Sequence, residues 1–416
     1  MIDEKQVAVA SAAASGVPDG WRVVRFGDVV RNVDVSVRQP LEQGLERFVG
    51  LEHLDPESLH IKRWGLIEEG TSFTRKFMRG QVLFGKRRAY QRKAAVAEFD
   101  GICSGDILVF EPKGDELLPE LLPFIVQSDG FFEHALGTSA GSLSPRTKWS
   151  DLARYEFALP PKEEQHRIAD ILWSVDENLS KGAQVLDDLE ITRRSITHKF
   201  LTTGFNNKPL KDSKLFGSIP KNWVEKTLEE VCLQITDGEH VTPPRTSEGV
   251  YLLSARNVLN GRISLEDVDY ISYETYERLC RRVKPEANDI LISCSGTIGR
   301  VCKVPKGLKF SLVRSVAILK PNSEVESDYL EMCLQSDFLQ RQISVGTAQL
   351  AQGNLFQGAI RKLVIPMPSI DEQIQIASVV KQFSATRSVW MNHMETTREL
   401  RKSLLKSFLT SKSQQI

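Results

Sequence analysis

The densest chemistry in the sequence is a glycine-opened run, Gly85-Lys86-Arg87-Arg88-Ala89-Tyr90-Gln91-Arg92-Lys93, in which five basic residues surround one aromatic. Lysine and arginine at these positions can neutralise phosphates, and an arginine fork can read O6 and N7 of guanine in a major groove. A solvated charged loop has the same composition. A second run, Ser293-Cys294-Ser295-Gly296-Thr297-Ile298-Gly299-Arg300, keeps a closing arginine but replaces the basic cluster with hydroxyls and glycines. Ser293, Ser295 and Thr297 on such a loop let backbone amides approach a phosphate, with Arg300 beside them, and the same glycines equally suit a tight turn. Asp237-Gly-Glu-His240 followed by Val-Thr242-Pro-Pro244 sets His240 and Thr242 on a constrained turn that can meet bases or phosphates, and Asp237 can simply cap it. Two later loops complete the set. Gly141-Ser-Leu-Ser-Pro-Arg146-Thr-Lys148 offers two cations, and Gln349-Leu-Ala-Gln352-Gly-Asn354-Leu-Phe356 offers amides that pair bidentately with adenine. Hydrogen bonding within the loop is the simpler role for many of these side chains.

Catalytic signatures are missing where an enzyme would need them. The chain has no G-x-x-x-x-G-K-[ST] phosphate loop. The methyltransferase tetrapeptide of Asn or Asp, two prolines and an aromatic is absent; Thr242-Pro-Pro-Arg245 comes nearest and lacks both the group that would bond the target amine and the stacking ring. Pro285-Glu-Ala-Asn-Asp289 has a nuclease-like carboxylate pair without the matching Glu-x-Lys. Cys103, Cys232, Cys280, Cys294, Cys302 and Cys333 are irregularly spaced with no C-x-x-C pair, so neither a zinc site nor a disulfide framework is expected. No cofactor or metal is expected on this chain.

What positions these loops is a duplication. Gln127-Ser-Asp129 recurs as Gln335-Ser-Asp337, Arg92 as Arg300 and Phe200-Leu-Thr202 as Phe408-Leu-Thr410, all displaced by 208 positions. Val17-Pro-Asp-Gly-Trp21 also returns as Ile219-Pro-Lys-Asn-Trp223, and Leu159-Pro-Pro-Lys-Glu-Glu-Gln165 as Met367-Pro-Ser-Ile-Asp-Glu-Gln373, so each half begins and ends alike. Such a period is far longer than a solenoid repeat and marks a duplicated domain. Within each copy, short β-branched runs such as Gln81-Val-Leu-Phe84, Asp106-Ile-Leu-Val-Phe110, Asp289-Ile-Leu-Ile-Ser293 and Val316-Ala-Ile-Leu319 alternate with short helical pieces, which predicts α+β domains.

Each copy ends in a proline-free stretch, Lys162 to Thr203 and Ile370 to Thr410, with an acidic start and a basic finish that suit the helix dipole. A 4-3 ladder runs through Ile168, Leu172, Val175, Leu179, Gly182 and Leu186 in the first and through Ile376, Val380, Phe383, Trp390, Met394 and Leu404 in the second. That spacing predicts two long helices able to pair as a coiled coil. If the copies are related by a pseudo-two-fold axis, the pair is antiparallel and Gly182 faces Trp390. Two unrelated helices, each packed on its own domain, would satisfy the same pattern. The expected division is a tail over 1–16, domains over 17–158 and 219–366, helices over 159–205 and 367–416, and a linker over 206–218.

The chain resembles the specificity subunit of type I restriction-modification enzymes over nearly its whole length. The likeness rests on the duplicated Pro-x-x-Trp starts, Gly80-Gln-Val-Leu-Phe-Gly-Lys-Arg-Arg88, Gly137-Thr-Ser-Ala-Gly-Ser142, Leu159 to Gln165, Asp237 to Pro244, Asp289 to Gly299 and Pro368 to Gln373, in that order. The resemblance implies a pair of target-recognition domains, each reading one half of a bipartite double-stranded DNA site. It implies helices that set the unread gap and dock two methyltransferase subunits. Methylation with S-adenosylmethionine, and ATP- and Mg-dependent cleavage by motor-nuclease subunits, would lie in other chains, which makes this one a non-catalytic subunit. An adaptor that binds only protein would explain the helices but not two loop-rich domains.

With 54 basic and 54 acidic residues in 416, no global field draws the chain to DNA, so contact must come from local patches. No apolar run approaches the ~20 residues of a membrane helix and the start is unlike a signal peptide, so a cytoplasmic protein is expected.

Overall fold

The computed structural model describes residues 18–141, 144–205, 208–348 and 353–409. The chain divides into two compact units, residues 1–183 with 393–416, and residues 184–392. The end of the last helix therefore belongs to the same unit as the first half of the sequence.

In the first unit a four-stranded antiparallel sheet has the order Val30–Asn32, Ile107–Pro112, Val82–Gly85, Ala94–Val96. Its two central strands carry unbroken apolar runs, Val82 to Phe84 and Ile107 to Phe110, because both of their faces are covered, whereas the edge strand Val30–Asn32 exposes Arg31. Val82, Phe84, Leu108 and Phe110 point into one cluster, with Phe26, Phe131 and Phe132, while the alternate residues Leu83, Ile107 and Val109 point into another. A mixed sheet of Gly65–Leu66, Arg47–Val49, Gly101–Cys103 and Arg75–Phe77 lies in the same unit. A ribbon of Arg22–Arg25 with Glu156–Leu159 joins the start of the domain to its end.

The second unit repeats the four-stranded order with Cys232–Asp237, Val316–Pro321, Ile290–Ser293 and Val301–Lys303. The facing rule repeats too: Ile290, Ile292, Ala317 and Leu319 enter one cluster, and Leu291, Val316 and Ile318 the other. A ribbon of Val224–Thr227 with Val364–Met367 closes this copy. A three-stranded sheet of Asp269–Ile271, Val250–Leu253 and Phe310–Leu312 completes it.

The repeated motifs are local anchors. Ser128 ends one helix by donating to the Ile125 carbonyl and starts the next by accepting from the Phe131 amide; Ser336 does the same with Cys333 and Leu339. Buried Gln165 accepts from the Leu118 amide and donates to the Glu116 and Pro160 carbonyls. Buried Gln373 accepts from the Glu326 amide and donates to the Glu324 and Pro368 carbonyls. Each glutamine thus fixes the turn that launches a long helix. The Pro-x-x-Trp starts are matching turns in which the Trp21 and Trp223 amides donate to the Pro18 and Pro220 carbonyls at 3.1 and 2.9 Å.

The two long helices span Lys162–Thr203 (42 residues) and Ile370–Leu409 (40 residues). In the first unit Ile168 and Leu172 share a cluster with Leu405 and Leu409, Asp176 pairs with Arg401 at 3.2 Å, and Met394 lies over Gly182, so these segments run antiparallel. Val175, Leu179 and Leu404 are half-buried there. In the second unit Ile196, Phe200 and Leu201 pack in the cluster of Ile376, Ala377 and Val380, with Leu186, Phe383 and Trp390 half-buried. Two expectations are corrected. The residue over Gly182 is Met394, one turn beyond Trp390, and a Cβ at 182 would overlap its Sδ. The stretch read as a linker contains a hairpin, Leu210–Ser213 with Gly217–Pro220, because Phe216 and Ile219 both reach the core. Asn206 and Asn207 of that stretch lie outside the described residues.

Candidate nucleic-acid interface

In the first unit the two candidate loops form one structure. The Arg88 amide donates to the Pro145 carbonyl at 2.8 Å and the Thr147 amide to the Lys86 carbonyl at 3.0 Å. Arg87 and Arg146 stand opposite each other as a short antiparallel bridge. Asp106, at the start of the central strand, lies between their guanidiniums, 3.4 Å from Arg87 and 2.9 Å from Arg146. Burial would raise its carboxyl, but these two arginines outweigh that and hold it below its ordinary value. Half-buried Lys86 is lowered, by burial first and then by Arg75. Arg87 also donates to Ser144 Oγ at 2.8 Å.

Arg88 sits in the left-handed region at φ 55° with its side chain exposed. Tyr90 is 56% exposed and Lys148 is exposed. Among the described residues none of these three side chains has a hydrogen bond or ion pair, so they are the groups this face presents.

Arg92 and Lys93, expected to face a ligand with their neighbours, are committed to their own unit. Arg92 pairs with Asp129 at 2.8 Å and Glu57 at 3.2 Å, donates to the Gln127 carbonyl and covers the Phe132 ring at 4.7 Å. Lys93 Nζ donates to the Leu51 carbonyl at 2.7 Å. Both follow the short helical turn Ala89–Gln91, which carries them away from Arg88.

The second unit builds the same frame from different residues. The Leu355 amide donates to the Cys294 carbonyl at 2.8 Å. This bond is the Thr147–Lys86 bond displaced by the 208 positions that relate the sequence motifs. Ser293 is a correction. Fully buried, it donates to the Thr297 carbonyl at 2.6 Å and accepts from the Arg300 amide at 2.9 Å, which makes it the holder of the turn. Gly296 and Gly299 in that turn take φ 69° and 83°, the backbone region that favours glycine. Ser295 and Arg300 are half-buried and Thr297 is exposed, with no ion pair to Arg300 among the described residues.

Asp237 organises this face as Asp106 does the other. It pairs with Arg282 at 3.3 Å and His240 Nε2 at 3.2 Å, and accepts from Gln357. Glu239 caps the turn by accepting from the His240 and Val241 amides. His240 and Thr242 are exposed and Asn354 is half-buried beside Leu355, whereas Gln352 lies outside the described residues. Asp289 is structural, pairing with Lys320 at 2.7 Å and accepting from the Glu286 amide. Among the described residues no group of three or more His, Cys, Asp or Glu can hold a metal ion, and no helix is long and apolar enough to cross a membrane.

Sequence reasoning missed the acids. Asp106 was visible only as the head of a strand run and Asp237 only as the cap of a turn; their pairing with Arg87 and Arg146, and with Arg282 and His240, depends on partners distant in sequence.

Two copies of one frame, each offering two joined loops of different chemistry, match a known domain. The family described as type I restriction modification DNA specificity domain fits residues 18–190 and again residues 220–391. The chain belongs to this family. Among type I specificity relatives, the type I restriction enzyme MjaVIII specificity subunit of Methanocaldococcus jannaschii is 22% identical over 95% of this chain and 93% of its own. The EcoBI specificity subunit of Escherichia coli is 25% identical over 61% of this chain and 58% of its own. Among solved structures, the type I restriction-modification S subunit from M. genitalium shares the fold with a TM-score of 0.58 at 16% identity, covering 95% of this chain and 96% of that one. A chain from a study of complex assembly in a type I R-M system gives a TM-score of 0.55 at 21% identity, covering 94% and 98%.

Proposed function

We propose that each unit reads one half of a bipartite, asymmetric DNA site, so that the chain is the sequence-specific DNA-recognition subunit of a type I restriction-modification complex. The observation that carries this reading is the shared loop bond, Thr147 to Lys86 and Leu355 to Cys294, which holds unlike residues on one frame. The first face presents Arg88, Tyr90 and Lys148, and the second Thr297, Arg300, His240 and Thr242. A frame that is kept while its presented groups differ is what two separate half-sites require, because base contacts specify and phosphate contacts only position.

Recognition is the whole of this chain's task, and it catalyses nothing. Two methyltransferase subunits supply adenine methylation with S-adenosylmethionine, and motor-nuclease subunits supply ATP- and Mg-dependent cleavage, in the cytoplasm where the DNA lies. The recognition domains are residues 17–158 and 219–366. The long helices, running antiparallel as a pseudo-two-fold coiled-coil pair, set the unread gap and dock the methylating partners. A helix of 42 residues spans about 63 Å, more than one ~34 Å turn of DNA.

The test is the map of methylated adenines in cells carrying this chain and its methylating partner. A split motif is expected. Arg88→Ala with Lys148→Ala should relax or weaken one half of it by about 1–3 kcal/mol and leave the other half unchanged. Methylation at an unsplit motif, or equal weakening of both halves, overturns the reading.

A further inference from the structure

A cavity of about 230 Å³ in the first unit lies away from the joined loops, between the 56–62 segment and the ends of the two long helices that belong to this unit. Its lining is rich in cations: His60, Lys62, Arg92, Arg398, Arg401 and Lys402. Against these stand Glu57, Asp129 and Asp176. His60 counts among the cations because its ring is bonded by Asp176 and Glu98, each at 2.8 Å, and Asp176, ahead of Glu98, holds it up to about 9.

Arg401 forms the floor. Its guanidinium donates to Gln127 Oε1 at 2.7 Å and the Glu57 carbonyl at 3.2 Å and pairs with Asp176 at 3.2 Å. Its Nε is buried and has no hydrogen-bond partner among the described residues. A buried donor left unmet on a charged group is costly, and an acceptor carrying negative charge is the partner that best removes that cost. Lys62 makes no ion pair among the described residues. Arg398 and Lys402 at the rim pair only with Glu395 and Glu399 along their own exposed helix face, contacts of little strength. Six cations and three acids line the cavity; the acids are paired with Arg92, His60 and Arg401, so the surplus of positive charge is Lys62, Arg398 and Lys402 at the rim, above the buried Arg401.

We propose that this cavity binds a phosphate dianion, held by Arg401 from below and by Arg398, Lys402 and Lys62 at the rim. Guanidiniums match phosphate oxygens bidentately, and the mixed Arg and Lys set supplies both forked and point-charge donors. Leu179, Met394 and Leu405 line an apolar side, which leaves room for the organic part of a phosphate ester. Arg92 lines this cavity as well, held there by Glu57 and Asp129.

The test uses the full chain, with inorganic phosphate and adenosine 5′-monophosphate as probes, and sodium chloride at matched ionic strength and adenosine as controls, read by thermal shift and titration calorimetry. Saturable stabilisation by phosphate beyond chloride is expected. Arg398→Gln with Lys402→Gln, both exposed positions that spare the buried floor, should weaken it roughly tenfold. Tighter binding of the monophosphate identifies an ester as the source, and equal binding identifies free phosphate. No stabilisation beyond chloride, binding of adenosine as tight as the monophosphate, or an unchanged affinity in the double variant overturns the proposal.

Discussion

Gln165 and Gln373 offer a measurement on both copies of the fold at once. Each is buried, accepts one backbone amide and donates to two carbonyls at distances of 2.8 to 3.1 Å. Gln→Met keeps the length and bulk of the side chain and removes all three bonds. The orphaned amide, Leu118 or Glu326, loses its acceptor, at a cost of about 1–3 kcal/mol for a buried donor, while the carbonyls keep a second lone pair and add less. The total is roughly 2–4 kcal/mol, a large share of a domain stability of about 5–15 kcal/mol. Because the two geometries match bond for bond, Gln165→Met and Gln373→Met should cost the same within about 0.5 kcal/mol. Amide hydrogen exchange reads this locally, which matters in a chain of two units whose global unfolding need not be two-state. Protection should fall at Leu118 in one variant and at Glu326 in the other. A loss below about 1 kcal/mol in either, or a loss in one copy only, would refute the claim that these glutamines anchor the turns.

Two further outcomes follow from the helix segments. His60 is held at about 9 in the folded chain against 6.5 unfolded, chiefly by its bond to Asp176, so its stabilisation is complete below pH 6.5 and is lost as pH rises through about 9. With solvent screening at a half-buried site the first unit should lose about 1–2 kcal/mol across that window, and a His60→Gln chain whose denaturation midpoint falls just as steeply would contradict it. Inserting one heptad directly after Gly182 and one directly before Met394 keeps the apolar seams in phase and adds about 10 Å of helix to each. The methylation map should then show the same half-sites with a gap longer by a few base pairs, and an active variant with the original gap would show that the helices do not set the distance.

What could be read in the sequence was whatever repeats or alternates. The two long helices announced themselves by the absence of proline and by apolar spacing, and the central strands by runs such as Asp106 to Phe110 that both copies share. The partner of Gly182 was harder, because the displacement of one turn between Trp390 and Met394 depends on how far each helix slides, which no spacing along one helix reveals. The hairpin at 210–220 was masked by its lysines and serines; two residues, Phe216 and Ile219, decide it through burial. Gln165 and Gln373 were visible as a repeated motif, but their three-bond role depends on carbonyls far away in sequence at Glu116 and Glu324.

The loops show why charge alone misplaces a contact. Five basic residues between Lys86 and Lys93 look interchangeable in sequence, yet the fold spends Arg92 on Asp129 and Glu57, Lys93 on a carbonyl and Arg87 on Asp106, leaving Arg88 exposed and, among the described residues, without a partner. The balance of 54 acids against 54 bases is therefore met locally, by acids set beneath the arginines that shape each face. Such pre-paired arginines keep the loops in place without ligand, which lowers the ordering cost of binding. On the proposed reading, the few cations left over would act at short range, where base identity can be distinguished, and would add little to the long-range attraction that favours every DNA sequence equally.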